Sequence, residues 1–140
     1  MTDRPVQVLQ QRQASQCPWR GEGAAVFDTE AAWRQALGGR DPAAVFEAPV
    51  DWSRQRVVAY TMDTQPTLGY GIELQASAVA QRGEVLRLPV RLVRPAPGSM
   101  QAMALSRPCL LLTVPRGDWR VLEVRDVDGD VLVGKAAVGG

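Results

Sequence analysis

The sequence predicts a mainly β domain of the α+β class, an antiparallel sandwich or a partly open barrel with one short N-terminal helix. Three observations carry this. Beyond Arg56 apolar residues recur with period two, at Tyr70, Ile72, Leu74 and Ala76 and again at Leu86, Leu88, Val90 and Leu92, as in half-buried strands. A helical period appears once, where Trp33 and Leu37 stand four residues apart. Turn residues break the rest at short intervals, ending in Asp128-Gly129 between two apolar runs. The 140 residues, 46% hydrophobic and 22% charged, have the size and composition of a single domain.

Taken in order, residues 1–20 offer only a short strand at Val6–Leu9 and are expected to be loosely ordered. Ala24–Phe27 is a second strand, with Gly21 and Gly23 marking the turn before it. Asp28 or Thr29 then offers an N-cap, Glu30 a first-turn carboxylate, and Gly38-Gly39 a stop, which predicts a helix over 29–37. A helix this short is marginal alone, so Trp33 must pack on something, and a sheet is the expected surface. Arg56–Met62 opens the β half. Pro89 in the Leu86–Leu92 strand predicts an edge or a bulge, because proline cannot donate to a ladder. Met100–Leu105 and Cys109–Val114 read as two strands, or as one strand broken at Arg107-Pro108. Val121–Val124 and Val131–Val133 form a hairpin across Asp126–Asp130, and 135–140 is expected to be a flexible tail. If every link is a simple reversal, the loops Asp63–Gly69, Arg94–Ser99 and Arg116–Asp118 share one end. Ala78–Glu84, Ser106–Pro108 and the Asp-Gly turn then share the other; if Arg107-Pro108 is only a bulge, the third loop changes ends.

Sixteen basic against fifteen acidic residues leave a net charge of +1, so nothing pulls the chain toward nucleic acid or anionic lipid. No segment holds the roughly 20 apolar residues of a membrane helix. Met1-Thr2-Asp3-Arg4-Pro5 lacks the apolar stretch of a signal peptide, and Ala14-Ser15-Gln16 before Cys17 is no lipoprotein cleavage site, so the residues predict a cytoplasmic protein without membrane insertion. Cys17 and Cys109 could form one bridge, but spacing and context do not support it, and two buried free thiols are the simpler expectation.

The chain has no histidine, which removes Ser-His-Asp and Cys-His catalysis and leaves poor ligands for zinc or iron. A serine–lysine dyad has only Lys135, near the terminus, to draw on. Asp126, Asp128 and Asp130 alternate as in calcium loops, but the glycine is misplaced and no glutamate closes the set. Arg116-Gly117-Asp118 spells an adhesion tripeptide and reads more simply as a tight turn. Arg82, Arg87, Arg91 and Arg94 suggest a single-strand nucleic-acid stripe, yet no aromatic residues interleave them, and a solvated edge strand accounts for them better. The expectation is a non-enzyme without cofactor or metal.

What remains is recognition by shape. In Gln65-Pro66-Thr67-Leu68-Gly69-Tyr70, Pro66 fixes φ and extends Gln65, Thr67 can cap its own backbone, and Gly69 permits a positive φ. Tyr70 adds an amphipathic ring at the loop base. Arg94-Pro95-Ala96-Pro97-Gly98 is a second proline-stiffened loop. Pre-shaped, weakly charged tips of this kind suit docking into a partner's groove.

Val50-Asp51-Trp52-Ser53, Val57-Val58, Pro66-Thr67-x-Gly69-Tyr70-x-Ile72, Pro95-x-Pro97-Gly98, Arg107-Pro108 and Cys109–Pro115, in this order, resemble the C-terminal domain of PrcB-like protease-complex subunits. The likeness runs from about Pro49 to Val124, within a core of 49–126. It implies a non-catalytic bacterial accessory protein, in the best-known case a lipoprotein that binds and stabilises a secreted subtilisin-like protease. Leu68 stands where the family usually has a second small residue. The same loop is similar in its chemistry to the Asn-Pro-Thr-Thr-Gly-Tyr loop of chagasin-type cysteine-protease inhibitors. Gln65 replaces the asparagine there, and no aromatic follows Arg107-Pro108.

Overall fold

Val57–Tyr60 and Cys109–Leu112 are apolar without alternation because the strands that carry them are covered on both faces. The computed structural model, which describes residues 3–139, orders the chain as β1 (Arg4–Pro5), β2 (Gln10–Ala14), β3 (Gly23–Phe27), α1 (Glu30–Leu37), β4 (Gln55–Thr61), β5 (Gly71–Leu74), β6 (Ala80–Arg82), β7 (Val85–Val93), β8 (Cys109–Pro115), β9 (Val121–Asp126) and β10 (Val131–Ala137). One sheet has the order β1-β6-β7-β9-β10, with β5 also paired to β7; the second has the order β2-β8-β4-β3. The sheets stack as a sandwich that does not close into a barrel. Val58, Tyr60, Leu110, Leu112 and Val114 from one sheet meet Leu86, Leu88, Val90, Leu122 and Val124 from the other.

The opposite face of the second sheet carries a further layer. Trp33 and Leu37 of α1 pack there with Phe27, Val57, Ala59, Leu111 and Phe46. Thr29 caps the helix by accepting from the Ala32 N–H at 3.2 Å, and Gly38 ends it in the left-handed region at φ 60°.

Several sequence expectations change. Residues 3–20 are not a loose segment: β1 adds to β6, and β2 pairs with β8 along its whole length. Val6–Leu9 is not itself a strand and links the two sheets. The tail is paired as far as Ala137, opposite Val121, while Met1, Thr2 and Gly140 lie outside the described residues. Met100–Leu105 is irregular rather than a strand, and an isolated bridge between Gln65 and Ser106 follows it. β7 is interior, flanked by β5 and β6 on one side and β9 on the other, so the solvated edge-strand reading of its arginines fails. Pro89 is tolerated because the neighbouring strand is interrupted opposite it, between Leu74 and Ala80, where Gln75 donates to the Pro89 carbonyl at 3.0 Å. β7 and β9 run parallel, because β8, between them in sequence, crosses to the other sheet.

Cys17 and Cys109 are bonded to each other, with Cα atoms 5.4 Å apart, rather than free. Spacing could not reveal this, because strand pairing brings together residues 92 positions apart.

Candidate functional site

The two proline-bearing loops meet at one end of the sandwich. Gly69 has φ +95°, and a Cβ built on it lies 3.0 Å from Pro95 Cγ and 2.6 Å from Gln101 Oε1. The Gln65 and Ser106 backbones exchange hydrogen bonds at 2.7 and 3.0 Å, and the Leu68 N–H donates to Ala102 at 3.2 Å. The Ser106 hydroxyl, itself buried, donates to the Thr67 carbonyl at 2.8 Å. The Gln65 amide turns back to Asp63 at 2.7 Å, and the Thr67 hydroxyl to Leu68 at 3.0 Å. In the second loop, Ser99 closes a turn on Ala96 through both its N–H and its hydroxyl, at 3.0 and 2.6 Å.

Of the expected site residues, Pro66, Gly69, Arg94, Pro97 and Gly98 are exposed, while Gln65, Thr67, Leu68, Tyr70 and Pro95 are half-buried. Tyr70 leans on the sandwich core, so its role is partly structural. Between the loops and β8 lies a surface the sequence reading missed. Met100 is 98% exposed, Met103 89% and Leu105 69%, an apolar ridge on the segment that hydrogen-bonds to the Gln65 loop. The signal was an uncharged run, Ser99 to Ser106, with neither a two- nor a 3.6-residue period, hidden by reading it as a strand.

Replacing Gly69 by alanine forces a side chain into a positive-φ position already crowded by Pro95 and Gln101. We expect a loss of about 1–2 kcal/mol. Thermal melting of Gly69→Ala beside wild type measures it, and coincident curves would show that the loop relaxes freely.

Ser106–Pro108 belongs to this end, not to the opposite one. Arg107 is no presented side chain; it donates to the carbonyls of Gly21 at 2.6 Å, of Cys17 at 3.4 Å and of Trp19. That departs from the three-loop presentation of the inhibitor analogy. The Asp126–Asp130 turn also changes ends, since parallel pairing sets Asp126 beside Val90, near where β7 leads into Arg94.

The Arg116–Asp118 loop moves to the far end, as the bulge alternative required, and its charged groups are spent on structure. Arg56, 5% exposed, donates to Asp28 at 2.7 Å and to the carbonyls of Gly117 and Trp119 at 3.3 and 3.1 Å, with its guanidinium 4.6 Å from the Trp119 ring centroid. Arg116 donates to Asp28 Oδ1 at 2.7 Å, to the Asp28 carbonyl, and to Trp52 at 2.9 Å. The hydrogen bond from Arg56, with the Arg116 charge beside it, holds the Asp28 carboxyl below its ordinary range against the opposing effect of burial. Asp118 accepts from Gln81 at 2.5 Å and Arg4 at 3.2 Å, so the tripeptide is a turn inside a hydrogen-bonded corner. On the outer sheet face, Glu123 stands 3.9 Å from Arg87 and 3.4 Å from Arg125, which neutralises part of the arginine stripe.

Among the described residues no group of histidine, cysteine and carboxylate side chains could hold a metal ion, and no helix is long and apolar enough to cross a membrane. The fold is a β-sandwich with two proline-bearing loops at one end. Residues 56–115, from the start of the buried β4 run to the end of β8, match the family model described as PrcB C-terminal, so this segment is similar to that domain. The match includes the Gln65 loop, the Arg94 loop and the methionine ridge. No curated protein and no solved structure matches the chain.

Proposed function

We propose that this domain is a non-catalytic accessory module of a protease complex that holds a protein partner at the platform formed by Gln65–Tyr70 and Arg94–Gly98, with the Met100–Leu105 ridge as its apolar centre. The observation that carries this is the pairing of a hydrogen-bonded loop framework with large exposed apolar side chains. A framework fixed beforehand loses little entropy on binding, and methionine side chains adapt to a partner's groove. The family resemblance makes a subtilisin-like protease the first partner to test. Because Arg107 is committed to the Cys17–Gly21 carbonyls, the platform favours this reading over a chagasin-like inhibitor. The Cys17–Cys109 bridge favours an oxidising working compartment over the cytoplasm.

The test is binding to subtilisin-like and papain-like enzymes, with autolysis of the enzyme followed in parallel. Wild type is expected to bind the subtilisin-like enzyme and slow its autolysis. The Met100→Asp/Met103→Asp variant, altered only at highly exposed positions, is expected to bind at least about tenfold more weakly. Equal binding by the variant would move the partner to another face, and inhibition of the papain-like enzyme would restore the inhibitor reading.

A further inference from the structure

The fold sorts the oxidisable side chains of this chain into one exposed pair and a covered remainder. Cys17 and Cys109 are bonded to each other, so no thiol is left to consume an oxidant first. Trp19, Trp33 and Trp119 are buried, Trp52 is half-buried, and Met62 sits in the sandwich core at 8% exposure. Met100 and Met103, at 98% and 89%, are the most exposed large apolar residues described, and their thioether sulfurs stand open to water. Met1 lies outside the described residues.

Both methionines stand on the uncharged run Ser99 to Ser106, whose backbone is tied down without their help. The Leu68 and Ala104 N–H groups donate to the Ala102 carbonyl at 3.2 and 2.9 Å, and the Gln16 side-chain amide donates to the Leu105 carbonyl at 2.8 Å. An oxygen added at either sulfur therefore meets water and not the core, and the fold keeps its packing. What changes is the surface. A soft apolar thioether becomes a polar sulfoxide, a strong acceptor that is costly to bury against a partner offering no donor.

We propose that Met100 and Met103 are a modification site that peroxide oxidises to sulfoxides ahead of Met62, converting the ridge from an apolar to a polar surface. The step is a two-electron transfer. A sulfur lone pair attacks one peroxide oxygen, the S–O bond forms as the O–O bond breaks, and the second oxygen leaves as water with the proton of the first. Sulfur is oxidised and peroxide reduced, so the step needs no other reactant. Release of a protein partner by this change rests on the function proposed above; the modification and the change of polarity do not. Methionine sulfoxide reductases reverse such a step, and at these exposures both sulfoxides are open to them.

Full-length chain is treated with hydrogen peroxide over a time course and followed by peptide mapping in the mass spectrometer, by retention on a hydrophobic-interaction column, and by binding to a subtilisin-like enzyme. Met100 and Met103 are expected to gain one oxygen each at least about tenfold faster than Met62. Retention should fall as they convert, and binding should weaken about tenfold. Reductases of both stereospecificities should restore both readouts, which sets the effect apart from irreversible damage. In Met100→Leu/Met103→Leu, whose side chains cannot form sulfoxides, retention and binding should each be the same before and after peroxide. Oxidation of Met62 at the rate of the pair overturns the site, and unchanged retention at full conversion overturns the change of polarity. Binding that survives full conversion overturns the release of the partner. Failure of the untreated wild type to bind the enzyme counts against the proposed function alone, and mapping and retention still decide the modification site.

Discussion

Loss of the Cys17–Cys109 bridge is expected to lower the stability of the folded chain by about 4 kcal/mol and its melting temperature by roughly 10 °C. The magnitude follows from the 92-residue separation of the two cysteines, which makes the closed loop long and its closure entropy large in the chain-entropy account. The native state is expected to survive, because the segment around Cys17 is also fastened by Arg107 and by pairing of Cys17 N–H with the Arg107 carbonyl at 3.0 Å. Both cysteines are buried, so reductant should act slowly on the native protein and quickly once denaturant opens it. Denaturant unfolding of the oxidised chain beside Cys17→Ala/Cys109→Ala measures the effect. Midpoints agreeing within experimental error would remove the bridge from the stability account.

Replacing Arg56 by methionine is expected to cost about 3 kcal/mol. Removing one partner of a buried ion pair is expensive because the groups it satisfied stay behind, here Asp28 and the carbonyls of Gly117 and Trp119. The estimate lies at the lower end of the usual range because Asp28 keeps Arg116 and part of its side chain reaches solvent. Arg56→Lys should recover part of the loss but not the forked contacts or the stacking on Trp119. The pH dependence gives a separate signature. Asp28 is held below the ordinary value of 3.8, first by the Arg56 hydrogen bond. Its contribution is therefore complete above about pH 4 and lost as pH falls through the depressed folded value. The stability gap between wild type and Arg56→Met should shrink over the interval in which pH falls below the ordinary value of 3.8 and through the depressed folded value. A gap that does not change across this interval would show that the pairing with Asp28 contributes little.

The helix was legible because its signals are local: Thr29, Trp33, Leu37 and Gly38 each act within one turn of chain. The Gln65 loop was legible for the same reason, since Pro66 and Gly69 restrict their own backbone. The methionine ridge was not, because a run such as Met100 to Leu105 has the same composition whether it is buried in a strand or left exposed in a loop. Its exposure depends on β8 beginning only at Cys109, after the buried Ser106 hydroxyl and the Arg107 guanidinium have pinned the chain. The parity argument failed for a related reason. It assumed that each link reverses within one sheet, and β8 leaves its sequence neighbours for the other sheet.

By itself the sequence determined a mainly β domain with one capped helix, a stiff loop at Gln65–Tyr70, and the lack of histidine chemistry. These follow from backbone restrictions and periodicities that act over a few residues. The tertiary structure alone decided which sheet each strand joins, that Cys17 meets Cys109, that Arg56 and Arg116 share Asp28, and that Met100 and Met103 face solvent. Those outcomes are set by pairings between residues tens of positions apart, whose free energy comes from burial and hydrogen bonding after the chain has closed on itself.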